Sequence, residues 1–196
     1  MKPRSLAQCL LLAVLAISAV AAQAADLSKS VILVAKPELT DALYGSAILV
    51  VTPIGGDQHA GFIVNRPTGV KLGQIFPEDG PSQKVVDPVY LGGPFNPQVI
   101  FALVESNRNP GGQSLELMPG LYAAVEADTV DNIIRTAPEH ARFVAGLVLW
   151  QPGELRTEIE RGVWYVLAPD AHLALQPSQG LWEELVRTSK LRANAI

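Results

Sequence analysis

Residues 142–150 read Arg-Phe-Val-Ala-Gly-Leu-Val-Leu-Trp and form the longest apolar run that the sequence offers as a β-strand. A run of this kind that ends at turn residues, here Pro152 and Gly153, is typical of a buried strand. Shorter runs of the same type predict further strands. They are residues 31–34, 46–52, 61–64, 89–91, 99–104, 121–125 and 164–168.

Short helical segments separate these runs. Helical spacing of apolar residues predicts helices over residues 71–76, from Asp128 onward, over 154–161 and over 180–193. Three Gly-Gly pairs fall at predicted loops, and no linker, repeat or low-complexity stretch marks a second domain. Many short strands alternating with short helices predict a single mixed α/β or α+β domain.

The amino terminus has the layout of a secretory signal peptide. Lys2 and Arg4 precede the apolar run at residues 10–20, and Ala22-Gln23-Ala24 supplies a small-x-small cleavage site. The apolar segment is shorter than the roughly 20 residues that span a bilayer. We therefore expect cleavage after Ala24, which divides the chain into a signal peptide (1–24) and one domain (25–196) in the periplasm or outside the cell. An uncleaved anchor is the alternative; after cleavage no transmembrane segment is expected.

Charge and cysteine content narrow the classes of function. Loss of the two basic residues of the leader changes the formal net charge from −4 to −6, which argues against a nucleic-acid partner. The densest basic cluster, Arg187, Lys190 and Arg192, is interpreted as the solvated face of a helix, although a basic patch could form there. Cys9, the only cysteine, leaves with the leader. The domain would then have no disulfide, thiolate metal site or cysteine nucleophile.

Four segments, in this order along the chain, resemble the AlgH/YqgE family of bacterial proteins. They are LVAKPELTD at residues 33–41, GFIVNRP at 61–67, PVYLGGP at 88–94, and WQPGEL at 150–155 with Glu158 and Trp164 following. The resemblance implies a single domain with a partly barrel-like sheet flanked by helices. It implies no settled reaction, cofactor or ligand. Members are often labelled transcriptional regulators, a label that fits poorly with an exported acidic chain.

The chain also departs from the family pattern. Relatives usually read G-Y-A-G-W where this chain reads GLVLW at residues 146–150, and Glu154 replaces a glutamine. The Glu-His pair that typically follows the second strand is absent, and Thr52-Pro53 stands there. Relatives also usually lack a leader, so the chain resembles an exported branch. A function that depends on the missing tyrosine, histidine or glutamine is therefore not implied here.

Two strand ends carry candidate ligand-binding residues. Asn65 and Arg66 follow a predicted strand, and the Arg66 guanidinium could clamp an anion or form an internal ion pair. Gly92 and Gly93 could present backbone N–H groups to an anion, or they could form a tight strand exit with positive φ.

The turn after Trp150 carries a further pair of candidates. Glu154 and Glu158 lie four residues apart on one predicted helix face, a spacing that suits hydrolysis or cation binding. The structural alternative places Glu154 at the positive end of the helix dipole and pairs Glu158 with Arg161. The scattered histidines predict no metal site, and no motif predicts a cofactor or a serine nucleophile.

We therefore expect a non-catalytic module that binds a small ligand or a partner protein. The expected ligand-binding residues are Asn65, Arg66, Gly92, Gly93, Trp150 and Glu154, brought together at strand ends; no catalytic residue is expected. A carboxylate-based hydrolase that uses Glu154 and Glu158 is one alternative. A transcriptional regulator, which would need cytoplasmic retention and a basic patch, is another.

Overall fold

The computed structural model describes residues 26–194, so the predicted leader lies outside the described residues. The strands of the described chain are β1 (Val31–Ala35), β2 (Ile48–Gly55), β3 (Gln58–Ile63), β4 (Pro67–Lys71), β5 (Pro88–Leu91), β6 (Phe95–Glu105), β7 (Leu115–Met118), β8 (Leu121–Ala124), β9 (Ala141–Trp150) and β10 (Trp164–Leu167). The α-helices in the same range are α1 (Leu72–Ile75), α2 (Ala127–Thr136), α3 (Glu154–Glu160) and α4 (Leu181–Asn194).

All of these strands belong to one curled, largely antiparallel sheet in the order β10-β1-β2-β3-β9-β6-β8-β7, with β4 and β5 beside this path. The long apolar run becomes β9, and it has neighbours on both edges. It pairs with β6 along one edge, where Phe101 lies opposite Val144. Along the other edge it pairs with β3 and, in parallel, with β5. The curl forms the predicted half-barrel, so the mixed α+β expectation is confirmed.

Both faces of the first strands are buried. Ile32 and Val34 point into one apolar cluster, while Leu33 and Ala35 point into another. Helix α4 packs against the first cluster and α3 against the second, whereas α2 covers a third cluster near β6 and β9. Coverage on both faces explains why these strands read as continuous apolar runs rather than as alternating patterns.

Two strands lack a clear signal in the sequence. β4 is almost entirely exposed and contains both Pro67 and Gly69, and β7 has only four residues. β6 also begins at Phe95, earlier than the apolar pattern indicates, because its first four residues are exposed. Within residues 26–194, no helix has the length and apolar character needed to cross a membrane.

Candidate functional site

Asn65 and Arg66 connect the end of β3 to the segment before β2. The Asn65 side chain accepts a hydrogen bond from Ile48 N and donates one to Ser46 O, both at 2.8 Å. The two terminal nitrogens of Arg66 donate to the carbonyl oxygens of Ala42 and Gly45, also at 2.8 Å. The expected internal ion pair of Arg66 is therefore replaced by hydrogen bonds to backbone carbonyls.

The segment that Arg66 holds is also shaped by Asp41. The Asp41 carboxylate accepts hydrogen bonds from the backbone N–H groups of Tyr44 and Leu43, each at 2.8 Å. These bonds, with a smaller contribution from the Arg66 charge, hold the pKa of Asp41 below its ordinary value of 3.8. The ordered segment places the Tyr44 ring edge-on against Trp164, with ring centroids 6.3 Å apart.

Gly92 and Gly93 lie where the chain leaves β5 and crosses β9. Neither residue has a positive φ, so the expected left-handed strand exit is wrong. The glycines are required by space, because a Cβ at Gly92 would overlap the backbone oxygen of Gly146, and one at Gly93 would overlap the backbone of Leu147. The Gly92 N–H donates to Ala145 O at 2.8 Å and is not free to bind an anion.

Glu158 joins two tryptophans. Its Oε2 atom accepts hydrogen bonds from Trp150 Nε1 at 3.2 Å and from Trp164 Nε1 at 2.9 Å. Both indoles are buried, with 4% and 5% exposure respectively. The expected pairing of Glu158 with Arg161 does not occur among the ion pairs of the described residues, and the two indoles take its place.

Glu154 serves the turn that precedes α3. Its Oε2 atom accepts a hydrogen bond from Gln151 N at 2.7 Å. Glu154 and Glu158 lie on one helix, as expected, but each binds a different internal partner. The geometry therefore gives these two carboxylates structural roles.

The structure brings together only part of the predicted site. Leu91 N donates to Arg66 O at 2.8 Å, so Arg66, Gly92 and Gly93 lie close along the backbone. Trp150 lies three residues beyond Leu147 on β9, which corresponds to about 10 Å along a strand. Trp150 and Glu154 therefore belong to the end of β9 that α3 covers, beyond the point where Gly92 and Gly93 cross the strand.

Arg142 is a buried cation that the sequence analysis did not select. Its side chain is 6% exposed, lies 4.2 Å from the centroid of the Tyr90 ring, and donates to Val64 O and to Gln176 O. Burial lowers the pKa of Arg142 below its ordinary value. The only available signal was a charged residue at the start of an apolar strand. The guanidinium ties the end of β3 to the segment before α4.

The histidines occupy three separate places. His59 is buried and contacts Leu27 O at 2.9 Å, whereas His172 lies 2.8 Å from Glu105 and His140 lies 3.8 Å from Glu139. Over residues 26–194, no group of three potential metal-ligating side chains comes together.

A shallow apolar groove, widely open to solvent, runs along α4. It has a volume of about 420 Å³, and its floor includes Trp182 and Val186. The Trp182 indole is fixed by a 2.8 Å hydrogen bond to Ala35 O, and Leu191 at the groove is 66% exposed. The complete lining consists of Pro37, Trp182, Glu183, Val186, Arg187, Lys190, Leu191 and Asn194.

Comparison with known proteins gives consistent results. A family model described as AlgH-like (DUF179) matches residues 32–194. A UPF0301 protein of Thermobifida fusca is 31% identical over 167 residues, which cover 80% of this chain and 84% of the relative. A UPF0301 protein of Methylococcus capsulatus is 30% identical over 164 residues, covering 81% and 90% respectively.

Two solved structures have a similar fold. The solution structure of the AlgH protein from Pseudomonas aeruginosa has a TM-score of 0.69 at 20% identity, covering 83% of this chain and 88% of that one. The crystal structure of a Corynebacterium diphtheriae protein has a TM-score of 0.68 at 22% identity, covering 82% and 86%. At these identities the likeness establishes the fold alone.

Proposed function

Because the chain belongs to the AlgH-like family, which has a common fold but no assigned reaction, we propose a function from the surfaces of this chain. The chain is an exported, non-catalytic module that binds a partner protein through the groove along α4. The observation that carries this proposal is the groove itself, an apolar concavity with an exposed leucine in an acidic protein. Apolar surface that is open to solvent and rimmed by polar residues is typical of interaction sites.

The partner is an acidic amphipathic segment of another protein. Arg187 and Lys190 line the groove beside Leu191, against a single acid, Glu183. A helix with apolar residues on one face would place that face on Trp182 and Val186, as in other helix-in-groove complexes. Acidic residues on its flanks would complement the two cations, and complementary charge favours both encounter and correct orientation.

The internal contacts of the predicted site support a binding role over a hydrolytic one. Glu154, Glu158, Asn65 and Arg66 each make at least one side-chain hydrogen bond within the fold. These contacts give the four residues roles within the fold. The negative net charge of the chain also disfavours DNA as a partner, because the DNA backbone is itself negative. It therefore argues against the transcriptional-regulator alternative.

The contacts of Leu27 are compatible with the proposed export and cleavage after Ala24. Leu27 is 5% exposed and packs in the cluster under α3, and its carbonyl oxygen contacts His59. Cleavage after Ala24 would remove the apolar leader and leave Leu27 in its buried position. We expect protein from the periplasmic fraction to begin at Ala25 on N-terminal sequencing. Cytosolic protein that begins at Met1 would contradict the proposal.

Binding is tested with two labelled peptides that share the same helical leucine pattern, one with glutamate and one with lysine at the remaining positions. We expect a saturable rise in fluorescence anisotropy with the acidic peptide and binding at least about tenfold weaker with the basic peptide. The double variant Arg187→Glu/Lys190→Glu should reverse this preference. Lys84→Glu is the matched control, because Lys84 is exposed and lies outside the groove.

Three outcomes would contradict the proposal. The first is equal binding of both peptides, and the second is failure of both to bind. The third is a preference for anionic lipid vesicles, or for a second copy of the chain, that the charge reversal abolishes while the acidic peptide stays unbound.

A further inference from the structure

We infer that a second cleft, on the opposite face of α4, binds a small zwitterion that carries an apolar side chain, such as a free amino acid or a short peptide. The cleft has a volume of about 300 Å³ and lies between α4 and the segment that follows β10. This volume is at the lower end of the roughly 300–1,000 Å³ that small-molecule sites occupy. The lining residues that belong to α4 are Leu185, Thr188, Ser189 and Arg192, and the groove uses none of them.

The floor of the cleft is apolar. Leu167 from the end of β10, Leu173 from the following 3₁₀ turn and Leu185 from α4 supply most of it. Leu173 is buried and belongs to the first apolar cluster, together with Ile32 and Val34, so this part of the cleft is fixed by the core. Small-molecule sites typically combine such an apolar lining with a few placed polar groups.

Ser189 provides a polar group that the fold leaves unused. Its side chain is 6% exposed, and its hydroxyl has no hydrogen-bond partner among the described residues. The neighbouring Thr188 lines the same cleft, but its hydroxyl donates to Glu184 O at 3.0 Å. A buried hydroxyl without a partner is costly. The hydroxyl oxygen itself is enclosed, so a polar atom of a ligand in the cleft would satisfy it after rotation about the Cα–Cβ bond of Ser189.

Two opposite charges line the same cleft. Neither Asp170 nor Arg192 takes part in an ion pair within residues 26–194, and so they do not neutralise each other. One oxygen of Asp170 accepts a hydrogen bond from His172 N at 3.1 Å, and its other oxygen makes no hydrogen bond to a described residue. An acid and a guanidinium that flank an apolar floor match a ligand with an ammonium group, a carboxylate and an apolar side chain.

The three features assign one orientation to the ligand. Its carboxylate would bind Arg192, its ammonium would bind Asp170, and its side chain would contact the three leucines. Ser189 would supply a hydrogen bond to the carboxylate or to a peptide group. This inference is independent of the proposed groove function, because the two sets of lining residues do not overlap.

The test is titration calorimetry of the purified full chain with leucine and with dileucine, alongside N-acetyl-leucine and leucinamide. The last two ligands each lack one charge. We expect saturable binding of leucine or dileucine. Both single-charge analogues should bind at least about tenfold more weakly. Tighter binding of dileucine than of leucine would support the inference and identify a peptide as the source of the zwitterion.

Variants separate a ligand contact from a structural role. Ser189→Ala removes an unsatisfied buried group, so the thermal midpoint of the free protein should stay constant or rise while ligand affinity falls several-fold. Arg192→Gln should weaken binding about tenfold. Lys84→Gln is the matched control, because this exposed cation lies outside both the cleft and the groove and should leave the affinity unchanged.

Two results would overturn the inference. One is the absence of saturable heat and of any thermal shift with both leucine and dileucine. The other is equal affinity for the zwitterions and their single-charge analogues, since recognition would then not depend on the two charges.

Discussion

The carboxylate of Glu158 accepts hydrogen bonds from two indoles that lie on different strands. The sequence places Trp150, Glu158 and Trp164 within one motif, so their importance could be predicted. Their partnership could not, because α3 must first fold back over β9 and β10 before the three side chains meet. The same holds for Asn65, whose amide binds the backbone of a strand 17 residues earlier. Local patterns identify such residues, whereas tertiary packing determines their partners.

We expect Glu158→Ala to lower the free energy of unfolding by about 2–4 kcal/mol, because it leaves two buried indole N–H groups without an acceptor. Glu158→Gln keeps an acceptor oxygen and should have a smaller effect. Urea denaturation followed by tryptophan fluorescence measures both.

The control for this comparison is Glu160→Ala on the same helix. Glu160 is exposed, and this substitution should change stability by no more than about 0.5 kcal/mol. Equal losses for Glu158→Ala and Glu160→Ala would show that the indole hydrogen bonds contribute nothing specific.

Among the secondary-structure elements, the buried strands could be predicted because burial on both faces gives them continuous apolar sequences. β4 and β7 were not, because each depends on a neighbouring strand rather than on its own apolar pattern. The sequence identifies Gly92-Gly93 as a turn at the end of β5, but it does not reveal why these positions require glycine. The cause is the close crossing over β9, and no local pattern encodes such a crossing.

This crossing predicts a large effect of a single methyl group. Gly93→Ala should lower the free energy of unfolding by about 1–3 kcal/mol, because the new Cβ overlaps the backbone of Leu147. Gly69→Ala is the matched control, since no atom lies within 4 Å of the Cβ position and φ is not positive. It should be neutral or stabilise slightly. Similar thermal midpoints for the two variants would be inconsistent with a tight crossing.

For the whole molecule, the sequence predicts a mixed α+β fold, which the structure confirms, and membership of a known family, which the comparisons confirm. The order of the strands could not be predicted, because pairing depends on contacts between residues distant in sequence. The candidate surfaces along α4 were also not predicted. Its basic residues suggested a solvated helix face, and only the packing of α4 on β1 and β10 reveals a concavity on each side of the helix.

The position of β9 has a consequence for how the domain opens. β9 forms hydrogen bonds with β3 and β5 on one side and with β6 on the other, so its amides become exposed together only when neighbouring strands on both sides separate. In native-state hydrogen exchange, the amides of residues 143–148 should exchange last, near the free energy of global unfolding, and those of β7 earlier. Faster exchange in β9 than in β7 would contradict this expectation. A protease could then cut the centre of the sheet only in molecules that have unfolded completely.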